Sequence, residues 1–246
     1  MTTSVTCHAL SLEVILVKEL TMRSSLRTLA ALALRRPSRS SSICRVPLPF
    51  CINAEPVPFV GGVRFFSRQQ YFAQNKEIAE YEKKRDWKGL LRFAKGKQGG
   101  FNDVNWSTLF SKLGRFKRDT RTIVRDPNFR SIMKGLDERV EGEGIEWVGV
   151  RQVANTVHAL GRMRVRSSVI LGAVERDCER IVREGKPQAI ANTIWAMATL
   201  QHDAPMLAKA IDRKEVVERL VREGKPQEIA NTIWAMATLQ HDAPML

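Results

Sequence analysis

Cysteine is scarce in this 246-residue chain: there are four, and Cys7, Cys44 and Cys51 precede position 67, which leaves Cys178 alone thereafter. A single thiol excludes a disulfide framework and a cysteine-based zinc site in that remainder. Histidine is equally thin, with four residues, and no Ser/His/Asp or Cys/His set falls at a spacing that suits nucleophilic catalysis. The segment "KGKQGG" (residues 95–100) lacks the spacing and the Ser/Thr of a phosphate-binding P-loop and reads as a joint between two helices. An apolar run near the N-terminus, "ALSLEVILV", is too short to span a bilayer. β-Branched residues are too few, and alternation too rare, to predict strands. A non-enzymatic chain with no catalytic residue, metal ligand or cofactor is the expectation.

What is present is repetition. Residues 181–207 and 220–246 align without a gap at a period of 39, with 25 of 27 positions identical; the differences are Ile181/Leu220 and Ala189/Glu228. A fixed period of this length marks a solenoid or array. "QVANTVHALGRM" (residues 152–163) is a fainter copy, with His158 in the tryptophan position, and "WSTLFSKLGRF" (residues 106–116) shares its Leu-Gly-Arg. About four units fill the chain from residue 77 onward. Each reads as two helices. Residues 204–224 form the first in the last unit, with Asp203 as N-cap, Pro205 in the first turn and Gly224 as the stop. Pro226 opens the second, where its missing N–H costs nothing. The fold class expected is all-α, an α-solenoid of helical hairpins, because one hairpin cannot bury its own apolar face. The last residues, "HDAPML", repeat the entry to a further first helix. They predict an array that continues, with an uncovered apolar flank on the helix of residues 227–239.

Acids are the other shortage. None occurs between Met22 and Glu55, while Arg23, Arg27, Arg35, Arg36, Arg39 and Arg45 do, with Leu26, Leu29, Ala30, Ala33 and Leu34 on one side of a short helix. An arginine- and serine-rich, acid-poor amphipathic leader predicts an organellar transit peptide. "RFFS" (residues 64–67) places an arginine two residues before a Phe66–Ser67 cleavage site, so residues 1–66 are the leader and residues 67–246 the repeat domain. Met22 is an alternative start. The whole chain has 40 Lys+Arg against 26 Asp+Glu, a net charge of +14. Eight basic and three acidic residues precede Ser67, leaving 32 against 23 and a net charge of +9. The basic excess therefore belongs to the repeats too and predicts a polyanionic partner.

The candidate contacts follow the period. Lys112, Arg115, Lys117, Arg118 and Arg121, with Arg125 beyond them, follow the second helix of the first unit; Arg162, Arg164 and Arg166 follow that of the second. Arg115 and Lys117 align with Arg162 and Arg164, predicting one basic edge. Lys186 and Lys225 precede proline-started helices whose N-termini favour anions. Gln188 and Asn192, and their copies Gln227 and Asn231, form either a ladder that reads bases or a set of amides bonded to the neighbouring unit. Trp195 and Trp234 read as core, with a stacking platform as the alternative. His202-Asp203 and His241-Asp242 read as helix entries rather than metal ligands.

The phrase "KPQEIANTIWAMATL" resembles the second-helix signature of octotricopeptide-type repeats, where Pro-Gln, Ala-Asn and Trp-Ala recur before a leucine. Similar helical repeats occur in RAP-domain organellar proteins and in proteins with the RNA-editing substrate-binding complex helical domain. "FNDVNWSTLFSKLGRF" resembles the opening unit of such arrays, so the resemblance covers residues 101–246; a RAP domain is not visible. It implies a non-catalytic protein that binds single-stranded RNA in mitochondrial RNA processing, stability, editing or translation. The alternative is a scaffold subunit of a mitochondrial ribosome or RNA-editing assembly. The mitochondrial matrix is the expected location, with the plastid as the alternative. Fused to a fluorescent protein, residues 22–70 should direct import into mitochondria with a new N-terminus at Ser67; diffuse cytosolic fluorescence would refute the leader.

Overall fold

The computed structural model describes residues 68–241 and 243–246. The proposed leader, its three cysteines and the Phe66–Ser67 bond lie outside the described residues. These fold into twelve α-helices and one 3-10 turn (Gln98–Gly100), with no strand among them. In chain order they are α1 (Arg68–Lys83), α2 (Trp87–Lys97), α3 (Asp103–Leu113), α4 (Thr120–Arg125), α5 (Pro127–Glu143), α6 (Val150–Met163), α7 (Ser168–Arg176), α8 (Cys178–Glu184), α9 (Pro187–Thr199), α10 (Pro205–Ile211), α11 (Lys214–Glu223) and α12 (Pro226–Thr238). None of the described helices is long and apolar enough to cross a membrane.

The helices pack in two layers. In one, α1, α3, α6, α9 and α12 lie side by side in chain order. In the other, α2 packs on α5, α5 on α7, and α7 and α8 on α10. Burial explains the arrangement. α9 is buried at Ile190, Ala191, Ile194, Ala196, Met197 and Ala198, so it is apolar around most of its circumference and is covered by α6 and α12. The same positions of α12 are less covered: Ile229, Ala230 and Ile233 are half-buried and Ala237 is exposed. Toward the N-terminus the core is aromatic, with Phe101, Trp106, Phe110 and Phe129 in successive ring contacts across α3 and α5.

Four of the five helices of the first layer share an ending; α3 instead closes on Gly114 with an ordinary right-handed backbone. α6, α9 and α12 close on a left-handed residue, Arg164 (φ 58), Gln201 (φ 52) and Gln240 (φ 53). In each, two consecutive backbone N–H groups fold back on the helix, as Gln201 N does to the Ala198 carbonyl and His202 N to that of Met197. α1 ends identically, with Arg85 at φ 57 and its amide and that of Asp86 bonded to the Glu82 and Tyr81 carbonyls. α1 thus ends as α6, α9 and α12 do and packs beside α3 in the same layer.

Residues 204–224 depart from the expected single helix. They form α10 and α11, broken at Asp212 and Arg213, and α7 and α8 break likewise at Asp177. Asp203 makes no N-cap bond; Ala204 occupies that position. The start of α10 is instead held from the preceding unit, where the Glu175 carboxylate accepts from the Met206 and Leu207 amides. Burial raises the Glu175 pKa against the pull of those two bonds, and Asp203 adds to the rise. The Asp212 carboxylate accepts from Met245 N at 3.1 Å in the same way. Gly224 does end α11, as expected: a Cβ there would meet the Leu220 carbonyl oxygen at 2.3 Å.

A second tie recurs. Arg139, Arg180 and Arg219 each follow a glutamate and precede Val140, Ile181 or Leu220. Arg139 donates to the Phe101 carbonyl (2.8 Å), Arg180 to those of Val148 (3.0 Å) and Ile145 (3.4 Å), and Arg219 to those of Arg183 (3.1 Å) and Val182. Each guanidinium thus bonds to backbone more than 30 residues earlier in the chain. Arg180 is also paired with Asp177 at 2.5 Å. Replacing it with Met strands half-buried acceptors, so Arg180→Met should cost about 1–3 kcal/mol in urea unfolding. Exposed Arg183→Met should cost less than about 0.5 kcal/mol. Equal effects would show that the tie contributes nothing.

Candidate nucleic-acid interface

Close packing of one layer leaves each of its helices a single stripe open to the surface. On α9 that stripe is Gln188, Asn192 and Trp195; on α12 it is Gln227, Asn231 and Trp234; on α6 it is Arg151, Asn155, His158 and Arg162. The residues recur every three or four positions, which is why they share a face. Gln188 and Gln227 are exposed, and Asn155, Asn192 and Asn231 are half-buried. Among the described residues these five amides make no hydrogen bond within the chain, and none is a sealed, unpaired group. Of the two readings, bonds to the neighbouring unit are not formed in this structure.

The tryptophans divide: Trp195 packs against the core, as read, with part of its ring at the surface, whereas Trp234 lies outside the core. Trp195 is half-buried and Trp234 is 40% exposed, because both fall seven residues after the stripe glutamines. His158 packs beside Trp195 with ring centroids 4.9 Å apart. Gly161 makes the approach of α6 to α9 possible: a Cβ there would stand 3.1 Å from the Trp195 ring and 3.3 Å from Ala196 Cα.

Beside these rings lies a groove of about 800 Å³. One wall is α4 and the turn leading to it, with Lys117, Thr120, Arg121, Val124 and Arg125; the end of α6 adds Arg162 and Arg164; Trp195, Thr199 and Trp234 complete it. Fully buried Ile123 anchors α4 against α5 and α6. Lys117, Arg121, Arg125, Arg162 and Arg164 are all exposed, and none forms an ion pair among the described residues. Arg164 spends one N–H on the Thr199 carbonyl at 3.2 Å. An apolar, aromatic floor beside five uncompensated cations suits a ligand with flat rings and several negative charges.

The other predicted residues divide. Lys112 and Arg115 do not join this groove: both pair with Glu82, at 3.0 and 3.2 Å. Burial pushes the Glu82 pKa up, but the hydrogen bonds from Lys112 and Arg115 outweigh it and hold the carboxyl below its ordinary value. Arg118 is exposed outside the groove, and Arg166 borders a separate cleft that also carries Asp137, Glu138 and Glu141. Lys186 and Lys225 sit at the N-caps of α9 and α12, the opposite helix ends from the groove. At α12 the Glu228 carboxylate already accepts from Lys225 N at 2.9 Å, so an anionic side chain of this chain occupies that terminus. Arg125, at the far end of the basic cluster read from the sequence, does join the groove; Thr199 was left outside the site, although the stripe containing Gln188 and Asn192, extended by one turn, reaches it.

No family model, curated protein or solved structure matches the chain.

Burial, and then the charge of Arg162, lower the His158 pKa. The unfolded chain thus binds a proton more readily than the folded one, so this group's contribution to stability falls as pH drops below the ordinary histidine value near 6.5. Acidification from about pH 7.5 to about pH 5.5 should destabilise the wild type more than His158→Asn in chemical unfolding. Identical losses would show that His158 protonation is not resisted by the fold.

Proposed function

We propose that the chain is an α-solenoid of octotricopeptide-like hairpin units that binds single-stranded RNA without catalysing a reaction on it. The observation that carries this reading is the groove of α4, α6, α9 and α12, with five unpaired cations beside Trp195 and Trp234. Cations meet phosphates, indole rings accept stacked bases without regard to sequence, and the amides of Asn155, Asn192 and Asn231 are free to bond base edges. The two-layer packing order of the helices supports the solenoid, since each added unit covers the flank of the one before it. With the arginine-rich leader, the reading places the protein in the mitochondrion, on transcripts or ribosomal RNA, in RNA processing, stability, editing or translation.

The full chain should bind a single-stranded RNA oligomer with an affinity that falls steeply with salt, since each neutralised phosphate contributes about −0.7 to the slope of log K against log salt. Replacing Lys117, Arg121, Arg125 and Arg162 by Gln should flatten that slope by up to about 3 while leaving helical content intact. Trp195→Ala should weaken binding by about 1–3 kcal/mol at every salt concentration. Failure to bind RNA at low salt sinks the proposal and favours a protein–protein scaffold.

A further inference from the structure

Charge is not spread evenly along the repeats. Arg162 and Arg164 at the end of α6 correspond to Thr199 and Gln201 at the end of α9, and to Thr238 and Gln240 at the end of α12. The basic edge that the first two units share therefore stops there. Residues 164–167 alone join α6 to α7, and residues 200–204 join α9 to α10. Residues 114–126, by contrast, separate α3 from α5 and fold into α4, which brings Lys117, Arg121 and Arg125 to the groove. The groove is thus polarised: all five cations belong to its α4 and α6 end, and both tryptophans to its α9 and α12 end.

A continuous strand carries its phosphodiester charges one per nucleotide, at even intervals. One cationic position per unit would match it. Five cations gathered at one end match an anion whose charge is itself concentrated. A phosphate monoester has that character, carrying roughly −1.5 to −2 at pH 7 with three acceptor oxygens. The groove's volume of about 800 Å³ falls within the range of ligand pockets and has room for the end of a strand. Arg121 and Arg125 project from a helix pinned by Ile123 and line the groove with Arg162, and neither has an ion-pair partner among the described residues.

We infer that the groove captures the phosphorylated end of an RNA strand, with the terminal phosphate among Arg121, Arg125 and Arg162 and the end bases over Trp195 and Trp234. This rests on the RNA-binding reading above. A free nucleoside triphosphate offers the same chemistry, concentrated charge next to one base, and the test separates the two.

The test measures binding of the full chain, by fluorescence anisotropy, to one RNA sequence in four forms: 5′-monophosphorylated, 3′-monophosphorylated, unphosphorylated and circular. One phosphorylated form should bind about tenfold more tightly than the unphosphorylated and circular forms, the effect of one added charge-assisted contact. That gain should vanish in Arg121→Gln/Arg125→Gln. It should survive in Arg92→Gln/Lys95→Gln, which removes the same charge from exposed positions on α2. If RNA binds but all four forms bind alike, or the gain survives in the groove variant, end capture is wrong while RNA binding stands. If free nucleoside triphosphate displaces labelled RNA as effectively as the phosphorylated oligomer does, the groove is a nucleotide site and end capture is wrong. If no RNA form binds, the RNA-binding reading fails and the inference falls with it.

Discussion

Burial of the inner helices of the first layer between two neighbours shapes the surface the chain presents. α9 is the clearest case, with Ile190, Ile194, Ala196 and Met197 fully buried and only Gln188, Asn192 and Trp195 reaching the surface. Burying an Ile or Met side chain contributes about 1.5–3 kcal/mol, so the packing has first claim on most positions. What remains for recognition is one stripe per helix and the turns at the helix ends. The near-identity of residues 181–207 and 220–246 then repeats the same polar stripe on α12.

Apolar contact is non-directional and fixes no register between stacked units. Directional ties occur in both layers: within the first, buried Asn105 of α3 donates to the Tyr71 carbonyl and the Asn75 side-chain oxygen of α1. In the second layer Arg139, Arg180 and Arg219 reach back to carbonyls more than 30 residues earlier, and Glu175 and Asp212 reach forward to amides more than 30 residues later, those of Met206 and Met245. Arg213 pairs with Glu179 over a similar separation. Much of the charge on this side is therefore consumed internally, as is that of Lys112 and Arg115 at Glu82. The five cations around the groove, like several others on the surface, pair with no carboxylate among the described residues, and they are the ones that lie beside Trp195 and Trp234.

The sequence made the all-α class, the helix starts at Pro187 and Pro226, and the Gly224 stop legible, because each rests on local chemistry repeated at a fixed period. Contacts between residues some 30 positions apart were not legible. Nothing near Lys112 or Arg115 announces Glu82, and nothing near Asp203 announces that Glu175 holds the start of α10. The break at Asp212 and Arg213 was hidden because Leu207, Ala210, Ile211, Val217 and Leu220 keep a helical spacing across it. The exposure of Trp234, and of part of Trp195, was missed for a different reason. Large apolar rings inside an apolar phrase suggest core, yet counting seven residues from Gln188 places Trp195 on the polar stripe. The departure of α9 and α12 from the Arg162 and Arg164 pattern was readable all along, but its meaning required α4 to be seen against the groove.

Ultraviolet crosslinking of the full chain to single-stranded RNA, with the attached peptides identified by mass spectrometry, tests the central claim most directly. The account predicts nucleotide adducts on Trp195 and Trp234 and on the peptides spanning residues 114–125. Adducts confined to α2, α5 or α11, on the opposite layer, would contradict it.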